Sequence, residues 1–87
     1  MHQRHIVIKN ETGIHARPAS LIVKEAQRFK ADIVLIKNEN EYNCKSIMSI
    51  LSTSSKKGEE MLLKATGEDA EAAIEAIGNL LESNLDA

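Results

Sequence analysis

The sequence predicts an α+β fold in which helices cover one face of a small antiparallel sheet. Three observations point there. Strand and helix patterns follow the order β-α-β-β-α-β-α along 87 residues. That length suits one domain, residues 1–87, with a sheet too small to be doubly wound. The longer helical segments each carry one apolar face, and a two-layer arrangement buries such faces economically.

Residues 3–9 include Arg4, His5, Ile6, Val7 and Ile8, a β-branched run that reads as a strand. Asn10, Glu11, Thr12 and Gly13 are turn-forming. Ala19, Ile22, Val23, Ala26 and Phe29 then recur at spacings of three and four, which is one face of a helix. Pro18 fits only the first turn of that helix, where its missing N–H is not needed. The residue before a proline avoids helical backbone. Arg17 is therefore expected at the boundary, with His15 at or just before the helix N-terminus.

Residues 31–37 read as a second strand, and Asn38, Glu39 and Asn40 turn the chain into a short third strand over 41–44. Ser46 is a natural N-cap for the short apolar helix Ile47, Met48, Ser49, Ile50 and Leu51. Residues 52–58 read as a polar loop and 60–66 as the fourth strand. Gly67 ends that strand, and Asp69 is placed to cap the last helix. There Ala70, Ala73, Ile74, Ile77, Leu80, Leu81 and Leu85 form one stripe.

Composition narrows the function. The chain is 43% hydrophobic and 28% charged, as a globular protein is. Its net charge is −2 and its aromatics number one Tyr and one Phe, so neither a basic footprint nor stacking platforms for nucleic acid exist. No apolar run approaches the ~20 residues needed to span a bilayer, so no membrane insertion is expected. The first residues lack the apolar core of a signal peptide, which predicts a cytoplasmic protein. Cys44 is the only cysteine, so no internal disulfide can form. With three scattered histidines it makes no metal-ligand pattern, and no cofactor is implied. A chain this short has little room for a deep cleft, which favours a site on the surface.

Thr12, Gly13, Ile14, His15, Ala16, Arg17, Pro18 and Ala19 carry the main chemical signal. A neutral imidazole can attack a phosphoryl group. A helix N-terminus offers free N–H groups and partial positive charge, which favour an attached phosphate. Arg17, two residues on, can hold phosphate oxygens by charge-assisted hydrogen bonds. The bare arrangement also fits a histidine that merely caps a helix.

The segment Gly13-Ile14-His15-Ala16-Arg17-Pro18-Ala19 resembles the active-site signature of the HPr family. These are the histidine-containing phosphocarriers of the phosphoenolpyruvate-dependent sugar phosphotransferase system. Lys45-Ser46-Ile47-Met48 resembles the regulatory serine segment of low-GC Gram-positive members, and the resemblance extends over nearly the whole chain. It implies an open-faced β-sandwich, with a four-stranded antiparallel sheet of order 1-4-2-3 and three helices on one face. It implies a transiently phosphorylated carrier rather than an enzyme. His15 would accept phosphate on Nδ1 from enzyme I and pass it to sugar-specific enzyme IIA domains. Arg17 would stabilise the phosphohistidine, with Thr12 and Ala16 beside it.

The resemblance also implies that Ser46 is phosphorylated by HPr kinase/phosphorylase. The phosphoserine form would be a corepressor for a catabolite-control transcription factor, docking through Ile47, Met48 and Leu51. Ile47 and Leu51, four residues apart, could equally face the core, whereas Met48 is the better candidate for exposure. Some relatives keep the serine segment, lack the histidine and act only in regulation, and Glu25-Ala26-Gln27-Arg28-Phe29 resembles that branch. A regulator acting mainly through Ser46 is thus the alternative reading.

Four residues depart from the family pattern. Ser49 and Ser54 stand where glycine is usual, and Thr53 and Ser55 where apolar residues are frequent. The loop 52–57 is expected beside His15, where it would alter partner affinity. With the implied strand order, period two turns Ile6, Ile8, Ile33, Leu35, Met61, Leu63 and Ala65 toward the helices. Val7, Val34, Ile36 and Leu62 then share the open face, an expected site of weak self-association or of a second partner.

Overall fold

The computed structural model describes residues 1–83. It consists of β1 (His2–Val7), α1 (Ala16–Ala26), β2 (Asp32–Lys37), β3 (Asn40–Asn43), α2 (Ile47–Leu51), β4 (Glu60–Thr66) and α3 (Ala70–Leu81). The strands form one antiparallel sheet of order β1-β4-β2-β3, as the resemblance implied. α3 lies across β1, β4 and β2, while α1 packs against both α2 and α3. The alternation read from sequence sets the two faces of the sheet. Ile6, Ile8, Ile33, Leu35, Met61, Leu63 and Ala65 are buried with Ala19, Ile22, Val23, Ala26, Ile74, Ile77 and Leu81 of the helices.

On the other face Val7, Val34, Ile36 and Leu62 are half-buried. Leu62 lies between Ile36 and His5 in register, and Val34 faces Lys64. Val7 stands opposite Glu60, which pairs with His5 Nε2 at 3.0 Å. The aliphatic patch is therefore interrupted by polar partners.

The β2–β3 connection is a two-residue turn, with Asn38 at φ +52° and Glu39 at φ +69°. Two left-handed residues match the twist of a tight hairpin. Cys44 is buried, and burial pushes its thiol up to about 12.

Several local expectations are corrected. α1 stops at Ala26, so Phe29 lies beyond the helix and packs half-buried against the core. Leu85 lies outside the described residues. Asp69 takes the N-cap position of α3 but its side chain does not cap it. Its carboxylate instead accepts from Lys30 N at 2.9 Å and Ala31 N at 2.8 Å, tying the start of α3 to the α1–β2 turn. Lys45 Nζ donates to the Phe29 carbonyl of the same turn at 2.7 Å.

The loop after α2 is not simply solvated, because Thr53 and Ser55 are buried. Their hydroxyls satisfy each other: Ser55 Oγ donates to Thr53 Oγ1 at 2.6 Å, and Thr53 Oγ1 to the Ile50 carbonyl at 2.8 Å. Paired hydroxyls can occupy a site otherwise suited to apolar side chains, since neither is left without a partner. Ser54 between them adopts φ +52°, which accounts for glycine being usual there.

Candidate functional site

The turn that follows β1 is organised by Asn10, which is 1% exposed. Asn10 Nδ2 donates to the Gly13 carbonyl at 2.6 Å, and Gly13 N donates back to the Asn10 carbonyl at 3.0 Å. Nδ2 also reaches Thr12 Oγ1 at 3.5 Å. Gly13 has φ +73°, and a Cβ there would run into the Ser55 carbonyl oxygen. Both the backbone conformation and the space thus require glycine. Ile14 N donates to that same Ser55 oxygen at 3.1 Å, and the Ile14 side chain is buried.

His15 comes next, as the N-cap of α1, with extended backbone at φ −113° and ψ −167°. Its carbonyl accepts Ala19 N at 2.9 Å, which opens the helix. Its side chain does not cap α1 and lies exposed. Ala16 and Arg17 are exposed and form the first two helical residues, so Arg17 sits one step inside the helix rather than at its boundary. Pro18 tolerates this because the residue four back, Ile14, precedes the helix and presents no helical carbonyl to its ring. The N–H groups of Ala16 and Arg17 have no acceptor within the helix. The site is thus an exposed imidazole at a helix N-terminus, with a guanidinium on the first turn.

The loop opposite is itself anchored. Lys37 Nζ donates to the Thr53 carbonyl at 2.8 Å and pairs with Glu59. The Lys37 hydrogen bond holds the Glu59 carboxyl below the ordinary range against the opposing effect of burial. Lys57 Nζ meets Glu11 at 2.6 Å, a surface link between the two loops.

Ser46 caps α2, its Oγ accepting Ser49 N at 3.2 Å, as expected. Ser49 fills the usual glycine position with a use of its own, its Oγ accepting Asn43 N at 2.8 Å. The helices run in opposite directions: Lys45 reaches Phe29 beyond the end of α1, while the loop after α2 meets Ile14 ahead of its start. The loop after α2 therefore lies beside the turn that carries Thr12, His15, Ala16 and Arg17, while the Ser46 end of α2 lies toward the end of α1. Met48 is 75% exposed and Ile47 42%, so Ile47 faces outward. Leu51 is half-buried and packs on the core.

Sequence reasoning did not single out Asn10. The only signal was an amide three residues before a glycine in a turn, and sequence does not reveal that this amide is buried.

The family model described as "PTS HPr component phosphorylation site" matches residues 2–83. The chain belongs to the HPr family. It is 45% identical over 71 residues to the phosphocarrier protein HPr of Mycoplasma capricolum, covering 82% of this chain and 80% of that one. It is 38% identical over 85 residues to the HPr-like protein Crh of Bacillus subtilis, covering 98% of this chain and all of Crh. The crystal structure of an HPr from Thermoanaerobacter tengcongensis matches with a TM-score of 0.93 and 42% identity, covering 100% of this chain and 98% of that one. The chain thus belongs to a family of phosphocarriers, whose members include HPr and the HPr-like Crh. Among the described residues no helix is long and apolar enough to cross a membrane, and no group of three metal-ligating side chains is gathered.

Proposed function

We propose that this HPr-family chain accepts a phosphoryl group on His15 from phosphorylated enzyme I and passes it to enzyme IIA domains. The observation that carries the reading is the exposed His15 imidazole at the N-terminus of α1, with Arg17 on the first turn. In the first transfer the N–P bond of the enzyme I phosphohistidine breaks as one forms at His15; in the second the His15 N–P bond breaks as the phosphoryl group bonds to the enzyme IIA acceptor. The donor leaves as neutral imidazole. The helix N–H groups and the Arg17 guanidinium then face the added negative charge. Thr12 and Ala16 border the phosphate. Positioning and electrostatics supply the catalysis, as in other phosphoryl transfers.

Incubation with enzyme I and phosphoenolpyruvate tests this. The expected product is acid-labile phosphate that is lost in His15→Ala and moves from wild type to an enzyme IIA domain. A wild type that remains unlabelled overturns the reading.

A second reading, regulation through Ser46, is favoured by the exposed Met48 and Ile47 that follow it. Phosphate on Ser46 Oγ, placed by HPr kinase/phosphorylase, would set charge beside an apolar docking surface for a catabolite-control transcription factor. Leu51 contributes to that surface only at its edge. Labelling by kinase and ATP at Ser46, without transfer through His15, would make this the principal role. Weak self-association through the open sheet face is the remaining partner, supported by the adjacent Val34, Ile36 and Leu62. Light scattering that stays monomeric at high concentration overturns it.

A further inference from the structure

We infer that Asn10 is a positioning residue for transfer at His15, acting through the backbone it holds and not by touching phosphate. The inference rests on the reading of His15 as the phosphoryl acceptor. A buried amide is retained where its hydrogen bonds are made. Asn10 closes the turn twice, by Nδ2 to the Gly13 carbonyl at 2.6 Å and by its own carbonyl to Gly13 N at 3.0 Å. From the facing loop, the Ser55 carbonyl holds Ile14 N at 3.1 Å and stands against Gly13. Gly13 and Ile14 are therefore clamped between a side chain of their own turn and a carbonyl of another segment.

The clamp is rooted in the rest of the fold. Ser55 is fixed through Thr53 to the end of α2, and Thr53 through Lys37 to β2. His15 directly follows the clamped pair and directly precedes α1, so its Cα has little freedom relative to the helix N-terminus. Where positioning supplies the rate, a shift of ~1 Å can cost about 100-fold. Within this clamp Asn10 acts on the His15 turn directly through its side chain, and because it is buried it can be changed without altering the site surface.

The experiment compares wild type, Asn10→Ala and Asn10→Ser. The readouts are the 1H–15N imidazole signals of His15 in unphosphorylated protein and steady-state transfer from phosphorylated enzyme I. Asn10→Ala is expected to shift the ring signals and to lower the kcat of transfer from enzyme I roughly 10-fold, with the KM for the carrier as substrate within about 2-fold. Asn10→Ser keeps a hydroxyl donor and is expected to recover most of both. A folded Asn10→Ala with wild-type ring signals and kcat overturns the inference, even if its melting temperature falls. Asn10→Asp, which keeps the shape and removes the donor, replaces Asn10→Ala if that variant does not fold. A wild type that accepts no phosphate defeats the reading of function instead, and the ring signals alone then decide the role of Asn10.

Discussion

Gly13 is the residue on which the His15 turn pivots. It combines a left-handed backbone with direct contact to the Ser55 carbonyl oxygen, so a methyl group is excluded twice over. Gly13→Ala is expected to cost about 2–4 kcal/mol, from backbone strain and overpacking together. Thermal melts would show it as a large fall in melting temperature. A fall of less than about 3 °C would mean that the turn relaxes at little cost. His15, Arg17 and Ser46 could be named as candidates from the sequence, because each belongs to a short contiguous motif with a local physical role. Asn10 could not, because what matters about it is burial and contact across a turn; the Ser55 loop was expected beside His15, but not the bond from Ile14 N to the Ser55 carbonyl.

At the scale of elements, the β2–β3 hairpin holds a stored cost. Glu39 sits at φ +69° in a turn position that suits glycine. The left-handed conformation costs ~1–2 kcal/mol for a residue with a Cβ, and glycine gives back ~0.5–1 kcal/mol in unfolded-state entropy. Glu39→Gly is therefore expected to stabilise by about 0.5–1 kcal/mol and raise the melting temperature by roughly 3–6 °C. An unchanged or lower melting temperature would show that the Glu39 side chain compensates. Element boundaries followed the same divide between local and distant causes. β4 and α2 appeared where the pattern put them, since their ends are marked by Gly67 and by the Ser46 cap. Asp69 was misread as a helix cap because the two N–H groups it serves lie nearly forty residues earlier in the chain.

Across the whole molecule, acid should loosen the fold through three carboxylates. Hydrogen bonds from Lys30 N and Ala31 N hold Asp69 below the ordinary range, and the Lys37 bond does so for Glu59. Burial works to raise Glu82, but the Arg4 hydrogen bond at 2.6 Å, Val7 N and nearby positive charge outweigh it. A depressed folded value means that the unfolded chain takes up the proton first. The stabilisation is complete well above the ordinary values of 4.5 for Glu and 3.8 for Asp. It declines as pH falls through them and is gone below the folded values. Asp69→Asn should therefore be less stable than wild type at pH 7, with the gap closing as pH drops through 3.8. Melts from pH 7 to pH 3 check this, and a gap independent of pH would exclude the carboxylate as its source.

The sequence by itself determined the α+β class, the element order, the inward faces of β1, β2 and β4, and the two motifs that mark the candidate site and the family. Those features follow from periodicity and from residues that act on their immediate neighbours. Strand order came only with the family resemblance, since pattern alone does not say which strands pair. The tertiary structure decided which polar side chains are buried, namely Asn10, Thr53 and Ser55, and gave each its hydrogen-bond partners. It also set the Ser46 end of α2 toward the end of α1 and the loop after α2 beside the His15 turn. Burial and long-range hydrogen bonds depend on which segments meet, and that is set by the packing of the whole chain.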